Sequence, residues 1–445
     1  MHTFDESAEA LARAIFDYAL ARVRMDPPPL DGTRRPEELA AAAGSTITPG
    51  GLGGLEALRV FAETLAPATI SIDHPRFFAF VPAAPTEAAI LFDLVVGASS
   101  IYGGSWLEGA GAAFAENQAL RWLADLAGFP PESGGVFVAG GTAANLSALV
   151  AARDAWRMRN PGDGRAAIAV SDAAHSSIAA AARVMDVPTV VVPSDEKGRL
   201  TGVALDAGIE AAGEVFAVVA TAGTTNGGFV DDLSGIASVA ASRGIWLHVD
   251  GAYGLAAIAA KSARHLFVGV ERADSFCVDP HKWLFAPFDC AALVYRDPAL
   301  ARAAHTQHAA YLDVLHTTPD WNPSDYAFHL TRRARGLPFW FSLATYGTDA
   351  YSNAIEATLA ITRAAAHMIN AHPALELIEE PELSVVLFRR KGWTPADYTE
   401  WSDRVLAEGL TLTVPTKWRG ETCLRFCFVN PRTTTDDVAL VLDSL

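Results

Sequence analysis

The sequence predicts an α/β protein. A mostly parallel central sheet is covered by helices on both faces, preceded by a helical segment and followed by a small α+β domain. Three observations carry this. Between about residues 87 and 345, seven short apolar runs (136–138, 167–170, 189–192, 216–221, 245–249, 275–278 and 291–295) alternate with helical stretches (110–127, 143–156, 176–184 and 233–242), the rhythm of βαβ units. The runs are almost continuously apolar, as strands buried on both faces must be. From 346 the pattern changes to a long helix ending near His372-Pro373, a strand at 383–389, a helix at 395–408, an alternating strand at 422–429 and a last helix at 434–445.

The first 86 residues read differently. Ala8, Leu11, Ala12, Ile15, Phe16 and Ala19 recur at helical spacing over 5–25, and Pro27-Pro28-Pro29 stops that helix. Further helices are expected at 36–43 and 52–66. This segment is too short and broken to hold a core of its own, so it is expected to pack on a partner subunit. The expected organisation is therefore 1–86, 87–345 and 346–445. Residues 303–327 interrupt the alternation: they are polar, aperiodic and rich in His, Thr, Pro and Asp. A loop of that length in a compact domain is usually functional.

Composition narrows the class. With 34 Lys+Arg against 51 Asp+Glu the chain carries a formal charge of −17, which argues against nucleic-acid or anionic-membrane binding. The uninterrupted apolar runs are too short for a membrane span, and the acidic N-terminus does not read as a signal peptide. Cys277, Cys290, Cys423 and Cys427 form no CxxC pair and lie among apolar neighbours. They read as free buried thiols of a reducing, cytoplasmic setting, with no metal site.

The chemistry sits at the ends of the predicted strands. His248-Val249-Asp250-Gly251-Ala252-Tyr253 follows the run at 245 and places a carboxylate beside glycine. Asp279-Pro280-His281-Lys282-Trp283-Leu284 follows the run at 275 and places one lysine among aromatics. In α/β folds, ligand sites form at the carboxyl ends of strands. A lysine and an acid delivered there suit pyridoxal phosphate (PLP): Lys282 would form a Schiff base with the cofactor and Asp250 would hold its ring nitrogen protonated. Such a lysine needs surroundings that depress its pKa. Ala252 is small enough for a ring to lie against, and His248 points to the same side of its strand as Asp250. The turn Gly140-Gly141-Thr142, between a strand and a helix, reads either as a phosphate cradle or as a plain turn. Thr225, in Gly223-Thr224-Thr225-Asn226, is either a cofactor contact or a turn residue. His175, after the strand at 167, is either a ring that stacks on the cofactor or a capping histidine.

Together, the glycine turn, His175, Thr225, Asp250 and His281-Lys282-Trp283 resemble the group II PLP-dependent amino acid decarboxylases, which include aromatic-L-amino-acid and glutamate decarboxylases. His74-Pro75-Arg76-Phe77-Phe78-Ala79, Arg332-Arg333-Ala334-Arg335 and Leu424-Arg425-Phe426 extend the resemblance over most of the chain. It implies fold type I, the aspartate aminotransferase-like fold, and a homodimer with shared active sites. It also implies Gly141, Thr142 and Asp279 near the phosphate, His175 on the ring face, Asp250 at the ring nitrogen and Lys282 as the Schiff-base lysine. Three departures stand out. Asp279 replaces an asparagine common in the aromatic branch and sets a carboxylate beside a phosphate. Ala143 replaces a glutamate found in several relatives. The middle of the 303–327 loop lacks the tyrosine that in the family protonates the carbanion, leaving Tyr311, or a histidine such as His316, to serve.

The expected reaction is decarboxylation of a small L-amino acid, with an aromatic side chain, to the amine and CO2. The alternatives are oxidative decarboxylation to an aldehyde, an acidic substrate met by Arg76, an aminotransferase, and a PLP-binding protein without catalysis. Phe80, Pro82, Ala83 and Trp106 are the expected substrate contacts.

Overall fold

The computed structural model describes residues 2–162, 164–317 and 320–445, with only the backbone of His316. Its main sheet has seven strands: β1 (Gly134–Val138), β2 (Ala167–Ser171), β3 (Thr189–Val192), β4 (Val215–Thr221), β5 (Trp246–Asp250), β6 (Ser275–Val278) and β7 (Ala291–Tyr295). Their order is β1-β7-β6-β5-β4-β2-β3. Only β7 runs against its neighbours, pairing antiparallel with both β1 and β6. The other six strands therefore point one way and open their carboxyl ends on one edge.

Burial explains the apolar runs. Along β4, Val218 and Ala220 enter the core on one face of the sheet, while Phe216, Ala217 and Val219 enter the core on the other. All seven residues of β4 are buried. Helices Gly141–Arg159 and Ser176–Met185 supply Ala148, Ala152, Ile178 and Ala182 to the second core. Small alanines let these helices lie close to the sheet.

The strands fall within two residues of their expected bounds at either end, and the shifts have local causes. β5 begins at Trp246 rather than Ile245. The preceding helix ends at Gly244 in the left-handed region, and the Ile245 N–H is spent on Ala240 O in that cap. The helix expected at 110 starts at Trp106, because the Ser105 hydroxyl caps the Glu108 N–H and Gly109 absorbs a kink. The stretch expected as one helix over 52–66 is an α-helix only over Gly54–Val60, then a π turn over Phe61–Leu65. The 303–327 segment is less open than its composition suggests. Helix Pro298–His305 runs into it, short 3-10 turns occupy Asp313–His316 and Pro323–Tyr326, and Trp321 stacks on Tyr326 at 4.0 Å.

Beyond the long helix Thr348–Ala371, strands β8 (Leu375–Leu377), β9 (Val385–Arg390), β10 (Thr416–Trp418) and β11 (Glu421–Cys427) form an antiparallel sheet in the order β10-β11-β9-β8. It carries its own aromatic core around Phe78, Phe388, Phe426 and Trp401. Among the described residues, no helix is long and apolar enough to cross a membrane. The first helix, Glu6–Val23, buries none of its residues.

One buried ion pair ties the main sheet to the segments that flank it. The Arg332 and Glu116 side chains are 0% and 3% exposed and meet through two bonds of 2.9 and 3.1 Å. Arg332 also donates to the carbonyls of Gly103 and Phe137, and Glu116 accepts from the Gly336 N–H. Removing one partner strands the other charge away from water, a cost of about 3–5 kcal/mol. Glu116→Leu is expected to lower the thermal unfolding midpoint more than the double variant Glu116→Leu/Arg332→Leu. The opposite ranking in calorimetry would show that the pair is not held as a desolvated unit.

Candidate active site

Five strand ends build one cavity of about 460 Å³. β1 leads to the turn at Gly140 and Gly141, β2 to His175, β4 ends at Thr221, β5 ends at Asp250, and β6 leads to Asp279 and Lys282. Thr142, Thr225, Ala252, Tyr253, His281, Phe80, Val81 and Phe288 complete the wall. The structure thus brings together all the sequence-predicted cofactor contacts: Gly141, Thr142, His175, Thr225, Asp250, Ala252, Asp279, His281 and Lys282.

The lysine is set by a one-turn helix, Pro280–Trp283, whose Trp283 is fully buried and bonds Thr358 through its indole N–H at 2.9 Å. Tyr253 stacks on the indole at 5.5 Å. With Trp283 pinned, Lys282 faces the cavity, one quarter exposed, and its Nζ lies 2.9 Å from Asp279 Oδ2. The same oxygen accepts the Gly141 N–H at 3.2 Å. His281 Nε2 lies 3.7 Å from it, while His281 Nδ1 meets Cys290 O at 2.7 Å. Burial pulls the Lys282 pKa down, but the ion pair with Asp279 and the field of Asp250 outweigh it, so the net direction is up. This reverses the depression expected from the aromatic surroundings. The reason is a carboxylate one turn away that the sequence motif does not orient. Burial pushes the His281 pKa down, and Asp279 only partly opposes it.

Asp250 is 6% exposed. Its Oδ2 accepts from Asn145 Nδ2 at 2.9 Å and its Oδ1 from the Ala252 N–H at 3.1 Å, while the Cys277 thiol lies between Asn145 Oδ1 at 3.3 Å and Asp250 Oδ1 at 3.6 Å. Behind it His248 is buried, and burial lowers its pKa to about 4. His175 caps its helix, its Nδ1 accepting the Ser177 N–H at 3.2 Å.

Phe80 lines the cavity, but Pro82, Ala83 and Trp106 are not brought to it. Phe80 has φ 54, a left-handed turn that carries the chain away after Val81. Ala83 then lines a separate cavity with Thr86 and Phe285. Trp106 opens a helix, its N–H held by Asn322 Oδ1. Arg425 of β11 braces the mouth from outside. Its guanidinium donates to Thr225 O at 3.0 Å and to Phe80 O. Tyr311 is 73% exposed and does not line the cavity. The His316 side chain lies outside the described residues. Asn145, Ser177, Thr221 and Phe288 received no role from the sequence. Asn145 stands one helical turn past Gly141, on the inward face, a placement that the glycine turn and the helical period together could have flagged.

The donor set suits one group. An amine, a carboxylate, an imidazole and a helix N-terminus converge, and Thr221 Oγ1 is buried beside them with no partner among the described residues. A Cβ on Gly141 would come within 2.9 Å of the Ala252 Cβ and 3.3 Å of Asp279 Oδ2, so only glycine leaves the cradle open. Asp279 is a like-charged neighbour for a phosphate at the Gly141 turn, offset by Lys282 and the Gly141 N–H. Residues 56–391 match the family described as the pyridoxal-dependent decarboxylase conserved domain. The chain belongs to that family. An aromatic-L-amino-acid decarboxylase from Bacillus atrophaeus is 30% identical over 390 residues, covering 83% of this chain and 80% of that protein. An L-2,4-diaminobutyrate decarboxylase from Acinetobacter baumannii is 29% identical over 442 residues, covering 91% and 86%. Among solved structures, the Oryza sativa TDC with PLP and tryptamine superposes with a TM-score of 0.89 at 26% identity, covering 98% of this chain and 96% of that one. The protein is a PLP-dependent amino acid decarboxylase, a carboxy-lyase with pyridoxal 5'-phosphate as its cofactor.

The raised Lys282 pKa has a measurable consequence for the decarboxylase. The amine captures an aldehyde only when neutral, so PLP uptake by cofactor-stripped enzyme should accelerate as pH rises through a midpoint above that of ordinary lysine. Asp279→Asn removes the partner that raises the pKa and leaves the burial that lowers it. The midpoint should move down and uptake at neutral pH should quicken, read by absorbance after stopped-flow mixing. An unshifted profile would mean that Asp279 does not control the protonation of Lys282.

Proposed function

We propose that this decarboxylase acts on an aromatic L-amino acid and releases the amine and CO2. The observation that carries the reading is the apolar part of the cavity wall, Phe80, Val81 and Phe288, with Phe288 against the His281 ring at 4.7 Å. The arginine that could have met an acidic side chain is spent elsewhere. Arg76 donates to Leu410 O at 2.7 Å and pairs with Asp437 at 3.1 Å. The aromatic-L-amino-acid decarboxylases among the relatives support the same class.

In this reading Lys282 Nζ would tether the cofactor, Asp250 would pair with its ring nitrogen, His175 would lie against its ring, and the Gly141–Thr142 turn with Thr225 would hold the phosphate. Bound there, PLP supplies an electron sink for the pair left when the Cα–carboxylate bond breaks. Asp250, held by the Asn145 amide and the Ala252 N–H, would supply the negative charge that favours a protonated ring nitrogen. A proton must then reach Cα, and Tyr311 delivers it from a second copy of the chain. The exposed apolar residues Phe16, Leu20, Leu91, Leu94, Val95 and Phe114 support such a homodimer, as does a first helix none of whose residues is fully buried in its own chain. Four buried free thiols fit a cytoplasmic setting.

Two experiments test this. A screen of the twenty amino acids for CO2 should rank phenylalanine, tyrosine, tryptophan or their hydroxylated forms first, and Lys282→Ala should abolish both CO2 release and the visible absorbance of the bound cofactor. Preference for glutamate or aspartate would overturn the aromatic reading. Tyr311→Phe should slow amine formation about 100-fold and, in air, let dissolved O2 oxidise the carbanion, diverting product to aldehyde, ammonia and hydrogen peroxide. Amine formation at the parental rate would remove Tyr311 from the proton path.

A further inference from the structure

The carboxylate of Asp250 fixes the orientation of every polar group behind it. A carboxylate oxygen can only accept, so the Asn145 atom 2.9 Å from Oδ2 is its nitrogen. Asn145 Oδ1 therefore faces His248 Nε2 at 2.9 Å, and that nitrogen must carry the proton. His248 is neutral, so its Nδ1 accepts, and the Ser275 hydroxyl 2.8 Å away donates to it. Ser275 Oγ in turn accepts from the Trp246 indole N–H at 2.9 Å. The chain from Trp246 through Ser275, His248 and Asn145 thus points in one direction, towards Asp250. All five side chains are buried, and hydrogen bonds aligned this way in a low-dielectric interior strengthen one another.

Asn145 has a second hydrogen on the same nitrogen. It goes to Ser177 Oγ, also at 2.9 Å. The Ser177 backbone N–H points at His175 Nδ1 from 3.2 Å, so that nitrogen is an acceptor, and the Ser177 hydroxyl 2.9 Å away can only share its single lone pair as a second donor. His175 therefore carries its proton on Nε2. One amide nitrogen holds both Asp250 and the residue that sets His175.

We propose that Asn145 is a positioning residue of this decarboxylase, coupling the hold on the cofactor's ring nitrogen to the hold on its ring face. The proposal rests on the reading of Asp250 and His175 given above. It predicts that the two holds fail together when Asn145 is lost and separately when only one branch is cut. An apolar side chain of similar volume leaves Asp250 Oδ2 and Ser177 Oγ without their shared donor, a loss in the range that weakens binding about tenfold.

The experiment uses holoenzyme reconstituted with PLP labelled with nitrogen-15 in the ring, together with PLP dissociation constants from fluorescence titration. Asn145→Leu should weaken PLP about tenfold, move the ring-nitrogen signal towards the neutral form and flatten the circular dichroism of the bound cofactor. Ser177→Ala should weaken the dichroism but leave the ring-nitrogen signal in place. Adding Ser177→Ala to Asn145→Leu should cost less than it does alone, since the shared donor is already gone. A parental ring-nitrogen signal and affinity in Asn145→Leu would overturn the proposal. Should that variant fail to fold, Ser275→Ala decides: it breaks the same chain two links back, and an unmoved ring-nitrogen signal there overturns the proposal equally. Asp250→Asn separates the two readings. If it leaves the signal unmoved, the assignment of Asp250 fails; if it moves the signal while Asn145→Leu does not, only the coupling fails.

Discussion

Burial of the sheet on both faces is the constraint from which the site follows. No side chain in the middle of β4 can be charged, because both of its faces are core. Polar chemistry is pushed to the ends of the strands, and because six of the seven strands run the same way, the carboxyl ends gather on one edge. Asp250 is the last residue of its strand, and Asp279 and His175 stand within four residues of theirs. The antiparallel β7 lies between β1 and β6 and so lets β1, first of the strands in sequence, run parallel to β6 and set the Gly141 turn opposite Lys282.

Electrostatics within the cavity oppose its hydrophobic frame. Trp283, Tyr253 and Phe285 dry the surroundings of Lys282, which favours a neutral amine. Asp279 and Asp250 favour an ammonium, and they win. A carboxylate at 279 therefore has two duties that conflict: it stores charge on the lysine, and it occupies the Gly141 N–H that a phosphate would also seek. The family resemblance marks position 279 as unusual. Its geometry shows which atoms the unusual residue engages.

The sequence was most legible where periodicity and punctuation agree. All seven strands of the main sheet are visible as apolar runs, and the lysine and acid motifs at their ends are visible as breaks in those runs. Legibility fell where a long-range partner decides the outcome. The start of β5 depends on a helix cap, and the direction of the Lys282 pKa depends on the rotamer of Asp279. Pro82 and Ala83 follow a left-handed residue, Phe80, whose type gives no warning of such a backbone, and Trp106 is held at a helix start by Asn322, 216 positions on. The local pattern puts Asn145 on the inward face one turn past Gly141, but its partners lie 32, 103 and 105 positions away, so its role does not show in the sequence.

Arg425 has no place on the cavity wall, yet it is bonded to the carbonyls of two residues that do. Thr225 and Phe80 come from segments far apart in the chain, and a guanidinium from the C-terminal sheet holds them at a fixed spacing. The spacing of two lining residues is thus set partly from a strand outside the lining. Substitutions behind Arg425 could retune which side chains pass without altering any residue of the lining. A lineage could then drift in substrate preference while its catalytic residues stay constant.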